Sequence, residues 1–327
     1  MTATKTEKQK KPWIQRVKDY FYRYDDYPKS IQKGKYFFII LGIIIPIIHF
    51  FVFYLGVNFM SILLAFQETH YESGVGEVVT WTFENFPTVF RYLTSGGTKM
   101  HIALRNTLQL FVVDIAMMIP IFIYAYCFSR NMKGSKFFRV FMYLPTIISG
   151  VAFSTMVTSI LQENIGALDV ICREFLGFDL PPLFSSDENA WGTVIAYCVW
   201  AGVYSNLLLY EGAIRRVPTE VVEAAMIDGA NTGTILRKVV LPMVWGTLST
   251  ILIIKVSGLF TISGPILVLT GGMHNTQTLN FWFYEEVAVG GSYHIPAAGG
   301  IVFTLLGLPI VWGFRALVNR FSNNLEY

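Results

Sequence analysis

Long apolar runs separated by polar stretches set the plan of this chain. A bilayer core takes about 20 apolar residues per helix. Six runs meet that length, at roughly 36–60, 104–128, 138–161, 192–212, 244–270 and 296–318. The pattern therefore predicts an all-α polytopic membrane protein with six transmembrane helices. Between the first two runs lies Glu68–His101, which is mostly polar. Its stretch FENFPTVFRYL reads as amphipathic and interfacial, not spanning. Between the third and fourth runs, GALDVICREFLG predicts a short amphipathic helix. Pro46, Pro120, Pro145, Pro265 and Pro309 place one proline in each of five runs. Such breaks are tolerated where neighbouring helices or a cavity satisfy the freed backbone groups, which suits a bundle that flexes.

Composition agrees with the pattern. Hydrophobic residues make up 53% of the chain and charged residues only 14%, against about 25% in a soluble domain. The mean hydropathy is +0.48. The net charge of +3 is small, and its distribution carries more information. With the first polar segment placed in the cytoplasm, twenty of the 25 Lys and Arg fall in inner segments. Arg91, Lys99, Arg105 and Arg173 fall outside, and Lys255 lies within a span. Acidic residues crowd an outer loop instead: Glu163, Asp169, Glu174, Asp179, Asp187 and Glu188. Lys and Arg concentrate on the cytoplasmic side of membrane proteins. Both termini, and the polar segment 213–243, are therefore expected in the cytoplasm. Residues 1–35 form a Lys-rich arm, either apposed to the anionic leaflet or solvated. No cleavable signal peptide is apparent.

The polar segment contains EAAMIDGANTGTILRKVVLP, Glu223–Pro242. Pro218 suits the first turn of a helix, and Glu220 favours its positive end. Val221, Val222, Ala225 and Met226 give an apolar stripe at helical spacing. Gly229 can take a left-handed conformation and stop that helix. Asn231 or Thr232 can cap a second short helix, TILRKVVL, before Pro242 opens the fifth span. The segment thus predicts helix, sharp turn, helix. An amphipathic connector on the membrane surface would read the same way from these features alone.

The full spacing goes further. Glu223-Ala224-Ala225, Gly229 six residues after the Glu, and Val239-x-Leu241-Pro242 resemble the EAA loop of binding-protein-dependent ABC importer permeases. Val239 stands where that pattern prefers Ile. The chain is similar to the six-span sugar permeases related to the maltose-type inner-membrane subunit. RNTL at Arg105–Leu108, YLPTIISGV at Tyr143–Val151 and LTGGMHNTQTLNFWFYEEV at Leu269–Val287 carry the resemblance from the second span onward. Met273 and Gln277 depart from the last pattern. The resemblance implies a type I ABC importer permease fold over residues 36–327. It implies a transport subunit without its own ATPase site, acting on a sugar or oligosaccharide. Its partners would be a second permease subunit, two cytoplasmic ATPase subunits that bind ATP and Mg, and an extracytoplasmic binding protein. The EAA loop would be the coupling helix docked on an ATPase, through Glu223, Ala224, Ala225, Asp228, Gly229, Ala230, Leu241 and Pro242. The segments Glu68–Met100 and Gln162–Trp191 would meet the binding protein or form a lid.

Other candidates lie within the spans. Asp114 and Lys255 are intramembrane charges of opposite sign, which are costly in lipid and face bundle interiors. Either they pair or one lines the pathway. Tyr197, Trp200 and Tyr204 share a face of the fourth span and are either a platform for a sugar or helix packing. Ser257, Thr261 and Gly264 share a face of the fifth, and small residues also build helix contacts. Cys127 and Cys198 lie in or beside apolar runs, so with Cys172 they suggest neither a disulfide framework nor a metal site. The five His residues show no metal-ligand spacing. No phosphate-binding G-x-x-x-x-G-K-[ST] loop occurs. The competing reading is a membrane-embedded enzyme acting on a lipid or sugar through Asp114, Lys255 or Glu211, but no motif joins these residues.

Overall fold

The computed structural model describes residues 29–72, 74, 76–130 and 134–323. The chain divides into two units, Met1–Leu63 and Leu64–Tyr327. In the first, α1 (Lys29–His49) continues through a π-helical stretch, Phe50–Gly56, into α2 (Val57–Leu64). Phe37–Leu64 is long and apolar enough to cross a membrane. The arm expected over 1–35 lies outside the described residues as far as residue 28. From Lys29 the chain is already helical.

The second unit begins with a feature the polar–apolar pattern does not reveal. β1 (Gln67–Glu72) pairs antiparallel with β2 (Gly76–Trp81), with Gln67 opposite Trp81 and Glu72 opposite Gly76. Neither strand buries an apolar face, so alternation gives no signal. The amphipathic stretch that follows forms α3 (Asn85–Thr94), which buries Val89. Asn85 Nδ2 donates to the carbonyls of Ala65 at 3.0 Å and Gln67 at 2.8 Å. That bond pair fixes the hairpin to α3.

The spans follow the apolar runs with two corrections. α4 (Lys99–Ala116) and α5 (Met118–Ser129) form the second span. They part at Met117, where Pro120 has no N–H to give to the carbonyl of Ala116. The third apolar run is not one continuous helix. α6 (Ser135–Ile147) and α7 (Gly150–Ile160) meet at an angle of 104°. Ile148 and Ser149 are extended, and Ser149 Oγ accepts from Ala152 N at 3.3 Å to start the new helix. Among the described residues five helices are long and apolar enough to cross a membrane, or six with this bent pair counted as one span. The predicted short helix in the next loop is α8 (Ala167–Ile171), extended by a π turn to Leu176 and ended by Gly177 at φ +73°.

α9 (Ala190–Ile214) is the fourth span. α10 (Thr219–Ile227) follows after a tight turn. The second correction comes next. α11 (Thr232–Ile235), a π turn at Leu236–Val240 and α12 (Leu241–Ser257) are one unbroken helical rod, Thr232–Ser257. The expected span of 244–270 is therefore shifted, and TILRKVVL is its first part, not a separate helix. Pro242 sits in the first turn of α12, directly after the π turn. The rod ends at Gly258. A short 3-10 turn at Leu259–Thr261 and α13 (Ile266–Leu269) follow, with Gly264 at φ +61° between them. α14 (Leu279–Ala288) and α15 (His294–Asn323), the sixth span, complete the unit.

Three apolar clusters hold these elements. One gathers Ile121, Tyr126, Leu207, Tyr210, Ile214, Val222, Ile235, Val240 and Val244. A second joins Val89, Met100, Ala103, Leu279, Trp282, Ala298 and Phe303. The third joins Phe153, Val194, Tyr197, Ile266, Leu269 and Phe281. Inside a bilayer such clusters work by close van der Waals contact more than by exclusion of water.

Candidate functional site

The loop after the fourth span is built to project a helix. α9 ends at Ile214, and Arg216 N and Val217 N donate to the carbonyls of Ala213 and Ile214. α10 then turns one side chain inward, Val222, into the first apolar cluster. Glu223, Ala224, Met226, Ile227 and Asp228 are exposed, Ile227 by 86%, while Ala225 and Ala230 are half-buried. Gly229 has φ +76°, and its N–H donates to the carbonyl of Met226 at 3.0 Å. A left-handed residue here ends α10 and reverses the chain. Asn231 Oδ1 then accepts from Thr234 N at 2.8 Å and caps the long rod. Leu241 and Pro242 are half-buried within that rod, away from the turn in sequence. The arrangement presents a short helix on a sharp turn, with Val222 inward and an outer face that mixes Val221, Ala224 and Ile227 with the carboxylates Glu220, Glu223 and Asp228.

The two intramembrane charges meet. Lys255 Nζ lies 2.5 and 2.6 Å from the two carboxylate oxygens of Asp114. The lysine side chain is 12% exposed and the aspartate 36%. Asp114 also borders a cavity of about 310 Å³ lined with Leu110, Cys198, Gly202, Ser263 and Gly264. Asp114 thus both pairs with Lys255 and borders a cavity. Ser257 and Thr261 line a separate cavity of about 470 Å³ with Phe260, Asn280, Phe283 and Thr304. They do not share a helix face as the periodicity predicts, because α12 stops at Ser257 and Thr261 lies in the 3-10 turn. Gly264 faces the first cavity, not the second.

Tyr197, Trp200 and Tyr204 do share a face of α9, and Phe153 of α7 packs among them. Ring centroids of Phe153 and Trp200 are 5.0 Å apart, and those of Trp200 and Tyr204 6.0 Å. Tyr197 is buried, with its hydroxyl 2.9 Å from Ser154 Oγ. Trp200 remains 46% exposed. Helix packing therefore accounts for Tyr197, and Trp200 keeps an open face.

Sequence reasoning missed two polar constellations. Asn106 is fully buried, and its Nδ2 donates to the carbonyls of Asn275 at 2.7 Å and Gln277 at 2.8 Å. Thr107 Oγ1 accepts from Leu279 N at 2.8 Å. The RNTL stretch and the stretch around residue 277 were thus one contact, and no pattern within either could reveal it. Close by, Gln277 Nε2 bonds Glu285, which Lys99 Nζ approaches at 3.3 Å. Burial and neighbouring Glu285 push the carboxyl of Glu286 above its ordinary range, against the opposing charge of Lys99. The second constellation is Glu211, which is 4% exposed and bonded by Arg139, Arg215 and Tyr143. Asp114, Lys255 and Glu211 are thus all engaged in ion pairs, and they do not form a common reactive centre. Among the described residues no group of three His, Cys, Asp or Glu is placed to hold a metal ion.

Membrane-length apolar helices, one pair sharply bent, with a short helix projected between two spans, are the frame of a polytopic membrane protein. The chain belongs to the family described as binding-protein-dependent transport system inner membrane component, whose sequence pattern matches residues 98–323. It is therefore an inner-membrane transport subunit and not an enzyme. It is 23% identical to the galactooligosaccharides transport system permease protein GanP of Bacillus subtilis over 303 residues, covering 89% of this chain and 70% of that protein. It is 28% identical over 209 residues to the multiple sugar-binding transport system permease protein MsmF of Streptococcus mutans, covering 62% of this chain and 69% of that protein. In fold it resembles a chain from the crystal structure of a bacterial ABC transporter involved in the import of the acidic polysaccharide alginate. That match has a TM-score of 0.73 at 19% identity and covers 90% of this chain and 100% of the other.

Proposed function

We propose that this chain supplies half of the translocation pathway of an ATP-driven importer for a sugar or oligosaccharide. Relatives named for galactooligosaccharides and multiple sugars support the substrate class. A second permease subunit supplies the other half, an extracytoplasmic binding protein delivers substrate, and two cytoplasmic subunits bind ATP and Mg. Both termini and the loop 213–243 face the cytoplasm, in keeping with the Lys and Arg distribution.

One observation carries the reading. α10 is held by a single buried side chain, Val222, while Ala224, Met226 and Ile227 are exposed beside a left-handed Gly229. An open helix face of Val221, Ala224 and Ile227 edged by carboxylates, on a fixed turn, suits a groove in another protein. Small Ala224 and Ala225 allow close approach, and Glu223 and Asp228 offer carboxylates at its edge. Closure of the ATPase pair draws α10 with it, and the spans rearrange around the midplane. Trp200 offers an apolar sugar face its ring, while Ser257 and Thr261, in a separate cavity, offer hydroxyl partners.

The test is an Ala224→Cys variant in membranes containing all subunits. A thiol cross-linker is expected to join it to the ATPase subunit from the cytoplasmic side only. Modification from the extracytoplasmic side, or no cross-link in an assembled complex, would overturn the reading.

A further inference from the structure

A carboxylate removed from water stays ionised only when donors surround it. Glu211 has four such bonds from three side chains. Arg215 gives Nε at 3.0 Å and Nη2 at 2.7 Å, Arg139 gives Nη2 at 2.8 Å, and the Tyr143 hydroxyl gives the fourth. Arg139 and Tyr143 belong to α6, and Glu211 lies in the last turn of α9. The same Arg139 Nη2 donates to the carbonyl of Phe128 in α5 at 3.0 Å. One carboxylate thus binds together the ends of the second, third and fourth spans. Only the turn Arg215–Pro218 separates this knot from α10. On its other side, α6 leads from Tyr143 to the 104° bend, and beyond the bend Phe153 lies against Trp200.

Packing alone does not call for this chemistry. A buried ion pair replaced by apolar residues of similar volume is often neutral or stabilising. What a buried pair adds is a fixed register: withdrawing either partner leaves an uncompensated charge, so sliding is penalised far more than between apolar faces. We infer that Glu211 is a positioning residue that makes α9 and α6 move as one body when α10 is displaced. The bend at Ile148–Ser149 is then the joint across which that movement reaches α7 and the aromatic face. The inference rests on the reading of α10 as the segment gripped by an ATPase.

The experiment uses the full complex in proteoliposomes, with Cys127, Cys172 and Cys198 replaced by Ala and Thr158→Cys as reporter, on α7 beyond the bend and bordering a cavity of about 370 Å³. A water-soluble maleimide is applied with and without Mg-ATP and vanadate. The parent is expected to change labelling rate with nucleotide, and E211Q is expected to lose that change. The decisive variant is E211Q/R139M, which removes the carboxylate together with the more buried of the two cations it would leave unpaired, while Arg215 is 55% exposed and keeps access to water. Its thermal stability is expected to return toward the parent while the nucleotide response stays absent. A double variant that recovers both stability and response would show that the cluster serves stability alone, and would overturn the inference. So would a normal response in E211Q itself. Ala224→Cys cross-linking, run in each background, separates this from the underlying reading. A parent complex without that cross-link overturns both, whereas a normal cross-link with a normal response in the double variant overturns only the role of Glu211.

Discussion

Single residues fix the turns and knots of this molecule. Gly229 has open space where a Cβ would stand, so a side chain there meets no clash and only its left-handed backbone resists substitution. Gly229→Ala is expected to cost about 1 kcal/mol of backbone strain and to lower the coupling of ATP hydrolysis to transport. Gly229→Asn should be milder, because Asn tolerates that conformation. The check is the ratio of transported substrate to phosphate released. Gly272 contrasts with it. A Cβ there would sit 2.2 Å from the Phe281 ring, at φ +78°, and Phe281 is buried. Gly272→Ala is therefore expected to lose folded protein, read as detergent-solubilised monodisperse yield. Glu286 gives a pH prediction. Its carboxyl titrates above the ordinary 4.5 because burial and Glu285 disfavour its charge. A raised acid binds its proton more tightly when folded, so its contribution falls as pH rises through the folded value. Glu286→Gln should raise the melting temperature at neutral pH and have little effect below about 4.5, where the native carboxyl is already neutral. Gly229 was legible from sequence because its role is local. The bonds of Asn106 were not, because they go to loop carbonyls 169 and 171 positions away; for Glu211 the i,i+4 partner Arg215 is visible in the sequence, but Arg139 and Tyr143 of another helix are not.

At the scale of elements, apolar run length gave the spans, and polar caps decided where they break. The third run reads as one span because Ile148 and Ser149 interrupt its hydropathy hardly at all. The backbone there is nonetheless extended, and the Ser149 side chain restarts the helix. The fifth span shifted for the opposite reason. Arg237 and Lys238 make its first part polar, while Gly258 and Gly264 end it within an apolar stretch. Helix caps are testable individually. Asn231→Ala removes the bond to Thr234 N and is expected to cost about 1 kcal/mol. Its effect should appear as faster proteolysis between residues 228 and 232, with the spans still inserted. The β1–β2 hairpin escaped notice because its strands carry no alternating apolar face against a core.

At the scale of the whole molecule, the Asp114–Lys255 pair ties the second span to the fifth. Asp114→Asn leaves Lys255 buried without a counter-charge and is expected to cost up to about 3 kcal/mol. Lys255→Met should cost less, since Asp114 keeps access to a cavity. The double variant should recover most of the loss, measured as the melting temperature of the purified complex. The sequence placed these two charges within the membrane, and only the fold brought them to one point. The rod from Thr232 to Ser257 has a consequence of its own. Its 26 residues extend about 39 Å at 1.5 Å per residue, and Lys255 lies about 35 Å from its first residue, Thr232. Tilting it by a few degrees about its capped foot swings Lys255 sideways by ångströms. The second span must then either follow the charge it holds or let go of it.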